Sequence, residues 1–237
     1  GNLTLDAMMG ADIVFAGDDM PGAVKATIER YEKQGDKVYN LPAGGTAMTG
    51  VAGYIMAVPE LMKQLEEQDI HPKYLVCALG SMGTYGGLNL GVKYFNAPFK
   101  VMGVPVSPPP ADKAEQVAKF MNEVSDFYGM GIHTEAADLL IHNGPADAPY
   151  SGEEYNRPDP ITRKYMFELA RAEGIILDPT YTGKAFRGFL DMVEKGIIDG
   201  DVIFLHTGGA TAVWTKEHLD DMQKELRENC KISEFGK

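Results

Sequence analysis

Gly80, Gly83, Gly86 and Gly87 lie close together in KYLVCALGSMGTYGGLNL (Lys73–Leu90), with Ser81 and Thr84 between them. That composition suits a phosphate. Glycines let the backbone approach an anion, the exposed N–H groups at a helix start point at it, and the helix dipole favours negative charge. Ser81 and Thr84 add hydroxyl donors. The loop lacks the Gly-Lys-Ser/Thr ending of a nucleoside-triphosphate loop, so no lysine stands ready for a γ-phosphate. It also lacks a clean G-x-G-x-x-G with an acidic residue about 20 positions on, as a dinucleotide fold requires. The competing reading is a tight strand-to-helix turn whose small residues serve packing alone.

A cradle of this kind needs a strand before it and a helix after it. The apolar run Tyr74–Ala78 predicts a buried strand, and Leu88, Leu90, Val92 and Tyr94 begin the apolar face of a helix. Upstream, Leu3–Met9 reads as a helix ending at Gly10, Ala11–Phe15 as a strand, and Pro21–Gln34 as a helix with Asp19 as its N-cap. Val38–Leu41 is the next expected strand, completing a parallel, right-handed strand–helix–strand unit. Thr46–Gln68 is a long helix. Downstream, strands are expected at Phe99–Pro105, Asp138–His142 and Asp201–His206. Helices are expected at Lys113–Tyr128, Pro160–Glu173, Ala185–Glu194 and Lys216–Arg227, while Pro108, Pro109 and Pro110 exclude helix between Ser107 and Pro110.

Alternating strands and helices predict an α/β fold: a mostly parallel sheet with helices on both faces. Ligands in such folds sit beyond the carboxyl ends of the strands. Three polar stretches fall there, Gly80–Gly87, Tyr181-Thr182 and Thr207-Gly208-Gly209, and topology predicts that they converge on one crevice.

The chain has 237 residues, enough for one large α/β domain or a domain and a half. A formal net charge of −12 argues against nucleic acid or an anionic membrane as a partner, while leaving room for a local basic pocket. No apolar run approaches the length of a membrane span. Cys77 and Cys230 are far apart and in no metal-type spacing, so a cytosolic chain without disulfides is expected. His133 and His142 have no ligand-spaced partners, which argues against a metal site. Alone, Tyr181 reads as a packed aromatic, His206 as structural and Met8, Met9, Met48, Met56 and Met62 as core filler.

Three segments in order, ALGSMGTYGGLNLG, EGIILDPTYTGKAFRGF and VIFLHTGGA, resemble the pyridoxal-phosphate enzymes of the D-cysteine desulfhydrase and 1-aminocyclopropane-1-carboxylate deaminase family. GNLTLDAMMGADIVF and LPAGGTAMTGVAGY extend the likeness over essentially the whole chain. The resemblance implies the tryptophan-synthase-β type of fold (fold type II), with Gly1–Leu41 as the end of a smaller domain and Pro42–Lys237 as most of a larger one. It also implies pyridoxal phosphate as cofactor, a small amino acid as substrate and a homodimer as the assembly. Gly80, Ser81, Met82, Gly83 and Thr84 match the family's phosphate loop, and Tyr181 matches its active-site tyrosine. Thr182 stands where the deaminases carry a glutamate beside the pyridine nitrogen. Thr207 stands where the desulfhydrases have a threonine and the deaminases a leucine. Neutral hydroxyls at these positions favour β-elimination over the harder cyclopropane ring opening.

The family's Schiff-base lysine, with its neighbouring serine and asparagine, lies upstream of what matches Gly1. Lys184 of the GKA motif occupies a different family position. The expectation is therefore an N-terminally incomplete enzyme whose apolar face is exposed in isolation. The alternative is a non-catalytic phosphate- or cofactor-binding protein that kept the fold without the lysine.

Overall fold

The structure, a computed structural model, describes residues 1–225, 230, 231 and 233. Eight α-helices occur among them: α1 Asn2–Met8, α2 Met20–Lys33, α3 Met48–Glu67, α4 Gly83–Phe95, α5 Lys113–Tyr128, α6 Pro160–Glu173, α7 Thr182–Glu194 and α8 Lys216–Lys224. Four strands, β1 Tyr74–Leu79, β2 Lys100–Pro105, β3 Leu140–Ile141 and β4 Val202–Phe204, form one parallel sheet in the order β3-β2-β1-β4. In the central register Tyr74 pairs with Lys100 on one side and Val202 on the other.

Strand periodicity divides the core into two layers. Leu75, Cys77 and Leu79 of β1 join Val101 of β2 against α3, α4 and α5. Val76 of β1 joins Met102 and Val104 of β2 on the opposite face, against Ala185 and Met192 of α7. The sheet is therefore covered on both faces, as the alternation of strands and helices predicts.

Several boundaries follow from capping chemistry. Asp19 accepts a 2.9 Å bond from Gly22 N at the start of α2, and Asp159 accepts one of 2.7 Å from Thr162 N at the start of α6. Each helix also carries a proline in its first turn, where the missing N–H costs nothing. The contact between α3 and α4 depends on glycine. A β-carbon at Gly87 would stand 2.8 Å from Tyr54 Cβ, and one at Gly91 would stand 2.6 Å from Val58 Cγ2.

The N-terminal segment departs from expectation. Neither Ala11–Phe15 nor Val38–Leu41 is a strand. Both are extended and flank α2, with Val14 and Val38 lining one cavity beside it, but no ladder joins them to each other or to the sheet. An apolar run becomes a strand only when a neighbouring backbone takes its hydrogen bonds. Their side chains stay in solvent, Phe15 at 83% exposure, and the first buried residue in the chain is Val51. Met8, Met9 and Met56, expected in the core, are exposed as well. Asp138–His142 contracts to the two residues of β3, because Ala136–Asp138 forms a 3-10 turn capped by Glu135. Of the expected Lys216–Arg227 helix, α8 is observed to Lys224, and Arg227 lies outside the described residues.

Candidate active site

All four strands are parallel, so their carboxyl ends share one edge. β1 delivers Gly80, Ser81 and Met82 there, and α4 starts at Gly83. The first main-chain bond of the new helix runs from Gly86 N to Met82 O at 2.8 Å. Among the described residues, the N–H groups of Gly83, Thr84 and Tyr85 have no acceptor, the ordinary state of a helix start awaiting an anion.

Three segments wall this loop. A β-carbon at Gly80 would stand 3.2 Å from Val106 Cγ2 and 3.5 Å from the Tyr181 ring, and one at Gly83 would stand 3.3 Å from Thr46 Oγ1. Gly44, at φ +70°, turns the chain ahead of α3 so that its α-carbon faces the Ser81 side chain, where a β-carbon would be 3.0 Å from Ser81 Oγ. From α5, Lys113 Nζ donates to Gly80 O at 3.1 Å. Gly86 and Gly87 do other work. A β-carbon on Gly86 would meet Met121 and Phe120, and one on Gly87 would meet α3, so the packing explanation holds for these two.

The second polar stretch is organised by Asp178, a buried carboxylate whose role the sequence alone did not disclose. Its Oδ2 accepts from Thr180 N at 2.8 Å and Tyr181 N at 2.7 Å; its Oδ1 accepts from Thr182 N at 2.8 Å and Thr182 Oγ1 at 2.7 Å. This shell fixes Tyr181 at the N-cap of α7 with 38% of the residue exposed. The ring leans over Gly80. Its hydroxyl pairs with that of Tyr155, and the two rings meet edge-on at 5.7 Å between centroids. Burial first, and then the Tyr155 hydroxyl, hold the Tyr181 phenol above the ordinary tyrosine range. Tyr155 was hidden in a loop of turn-forming residues and carried no periodic signal.

Thr182 has no exposed surface, and its one hydroxyl hydrogen is committed to Asp178 while its oxygen accepts from Asp178 N at 2.9 Å. Thr207 is exposed just past β4. The following turn reaches Asp178, since a β-carbon on Gly209 would lie 2.9 Å from Asp178 Cβ. The loop at Gly80 thus meets Tyr181 directly, and the Gly208-Gly209 turn joins them through Asp178.

Lys184, one turn into α7, has no exposed surface. Its ammonium donates to Val106 O at 2.9 Å, Ser151 O at 2.6 Å and Glu154 O at 2.8 Å. One buried cation therefore ties the wall over Gly80 to the loop that carries Tyr155. Desolvation pushes its pKa down to about 8.

The parallel sheet covered by helices on both faces is the fold type II architecture of pyridoxal-phosphate enzymes. The family model described as pyridoxal-phosphate dependent enzyme matches residues 1–208, and the chain belongs to that family. A Pyrococcus abyssi protein provisionally named 1-aminocyclopropane-1-carboxylate deaminase is 32% identical over 230 residues, 95% of this chain and 66% of that one. The D-cysteine desulfhydrase of Salmonella typhi is 31% identical over 198 residues, 83% of this chain and 58% of the enzyme. The crystal structure of an ACC deaminase homologue superposes with a TM-score of 0.79 at 30% identity, covering 94% of this chain and 66% of that one. The chain thus spans less than two-thirds of the length of these relatives.

The residues present fit the phosphate end of the family's cofactor. The helix start is open, and any side chain at Gly80 or Gly83 would crowd the walls. Thr46 Oγ1, beside Gly83, is buried without a hydrogen-bond partner, a state that costs free energy until a ligand or neighbour satisfies it. Gly80 through Thr84 would hold the phosphate. No helix among the described residues is long and apolar enough to cross a membrane.

Proposed function

We propose that this chain forms the cofactor-binding body of a pyridoxal-phosphate dependent lyase, acting as a homodimer, that carries out β-elimination on a small amino acid in the manner of a D-cysteine desulfhydrase. One observation carries the reading: the Tyr181 ring, whose hydroxyl pairs with that of Tyr155, stands 3.5 Å from where a Gly80 β-carbon would be, at the first residue of the open loop. Bound pyridoxal phosphate supplies an electron sink that acidifies the substrate's α-hydrogen. The protein's own groups handle position and protons. The loop at Gly80–Thr84 would anchor the phosphate, and Asp178 holds Tyr181 against Gly80.

With its pKa raised, Tyr181 stays protonated at neutral pH and has a hydrogen to give to a departing β-substituent. Tyr155 is placed to replace that hydrogen. Loss of the α-hydrogen and of the Cβ–S bond converts D-cysteine and water to pyruvate, ammonia and hydrogen sulfide. Thr207 is the exposed hydroxyl of the pair expected at the ring nitrogen. Thr182 would act there only as an acceptor, since its hydrogen belongs to Asp178.

A second reading, cofactor binding without turnover, draws support from the two lysines at the crevice. Lys184 is fully buried and held by three carbonyls, and Lys113 donates to Gly80 O at the backbone of the loop, so neither matches the position of the family's Schiff-base lysine. The test is sulfide and pyruvate release from D-cysteine by the protein loaded with pyridoxal phosphate, with the cyclopropane substrate as competitor. Faster turnover of the cyclopropane overturns the elimination reading. Tight binding of cofactor with no product from the full-length protein, and no peptide of it labelled on borohydride treatment, establishes the second one.

A further inference from the structure

Lys113 is the unexplained charge beside the loop. It sits in the first turn of α5, half-buried, and reaches back past the proline segment 108–110 to the carbonyl of Gly80. Among the described residues that 3.1 Å contact is the only hydrogen bond its ammonium makes, and no carboxylate pairs with it. Burial alone pulls its pKa below the ordinary lysine value. Partly withdrawn from water and with one carbonyl as its protein partner, this cation would gain from an anion beside it.

The unpaired hydroxyl of Thr46 lies beside Gly83, at the helix end of the same loop. Only two buried side-chain atoms in the described residues lack a partner, Thr46 Oγ1 and Thr162 Oγ1. One of these two stands 3.3 Å from where a Gly83 β-carbon would be. An unpaired cation, an unpaired hydroxyl and three free N–H groups around one loop are a set of donors lacking their acceptor.

We infer that Lys113 and Thr46 complete the anion site at Gly80–Thr84: Lys113 as the counter-charge of a phosphate monoester dianion, and Thr46 as an added hydroxyl ligand. This rests on the reading of the loop as a phosphate site. The loop and helix dipole supply only partial charges, about half an elementary charge at a helix start, so a dianion there needs a full cation to approach neutrality. A lysine meets the phosphate as a point charge rather than through a bidentate fork.

The test is the affinity of the purified chain for pyridoxal phosphate and for inorganic phosphate, measured by calorimetry at two ionic strengths. Lys113→Met should weaken both by about tenfold or more and flatten the salt dependence, while Lys113→Arg should recover most of the affinity. Thr46→Val, which keeps the shape, should cost about fivefold. Lys119→Met removes the same charge from an exposed site on α5 and should leave affinity unchanged. Wild-type chain that binds neither probe overturns the phosphate reading of the loop itself. Wild-type binding that survives Lys113→Met and Thr46→Val undiminished, in variants with unaltered circular dichroism, overturns the inference and leaves the loop intact. Equal loss from Lys119→Met also overturns it, since net charge would then be the cause.

Discussion

Replacing Lys184 with methionine sets desolvation against hydrogen bonding at one buried atom. Burial favours the neutral amine and pushes its pKa from an ordinary 10.5 down to about 8, with the charge of Asp159 opposing the shift; the carbonyls of Val106, Ser151 and Glu154 accept from the ammonium and are the groups that would resist it. Between those two values the unfolded chain binds more protons at this site than the folded one. Raising the pH through that window therefore favours the fold, and below pH 8 the charged form weighs against it. Each pKa unit is worth about 1.4 kcal/mol, so the full swing is about 3 kcal/mol. Between pH 7 and 9.5 it amounts to about 2 kcal/mol.

The assay is urea unfolding of wild type and Lys184→Met at both pH values, followed by circular dichroism. The difference of differences cancels every other titrating group, the tyrosines included. Wild type should gain about 2 kcal/mol on the variant as the pH rises. Methionine keeps the apolar stem but leaves three buried carbonyls short of a donor, so the variant should also be the less stable protein at pH 9.5 by a few kcal/mol. A difference that does not move with pH refutes the reasoning. It would mean that three carbonyls solvate an ammonium as well as water does.

Tyr181→Phe removes the proposed acid from a half-exposed ring; sulfide release should fall about a hundredfold, with a urea midpoint close to wild type. The alkaline limb of the activity profile should lie above pH 10, because the folded phenol releases its proton only above its ordinary value of 10.0. Gly91→Ala should cost about 2 kcal/mol in thermal or urea unfolding, since its methyl would stand 2.6 Å from Val58 Cγ2 and 2.7 Å from Ile55 O. Gly53→Ala in α3 meets nothing within 4 Å and should stabilise by up to about 1 kcal/mol. A thiol reagent should modify exposed Cys230 in the native chain and leave Cys77 untouched until urea is added, because burial pushes the Cys77 thiol up to about 12.

Local chemistry was readable wherever it decided the outcome. α5 and α6 run over the expected residues because their caps, Gly129 and Asp159 with Pro160, are sequence-local devices. The strand–loop–helix at Gly80 was legible for the same reason. Ala11–Phe15 and Val38–Leu41 were not, because an apolar run carries no information about whether a pairing neighbour exists. Around the loop, Tyr181 stood out through its motif. Asp178, Tyr155 and Lys184 acquire their roles only from partners up to 78 residues distant, as in the Lys184 bond to Val106. Gly86 and Gly87 show the opposite limit. In sequence they are indistinguishable from Gly80 and Gly83, and only the helix packed on them reveals their different task.

The glycine contact between α3 and α4 makes α4 a lever. Gly91 is eight residues from Gly83, about 12 Å along a stiff rod, and the rod's free end carries the N–H groups that face the loop. Any side chain wedged at Gly91 or Gly87 must push α4 away from α3 and swing that end by a comparable amount. Loss of cofactor affinity in this protein therefore need not map to the crevice. Screens for weakened phosphate binding should return hits at the far seam of the helix pair, and restoring substitutions should appear across it, at Val51 or Val58, where trimming a side chain lets the rod settle back.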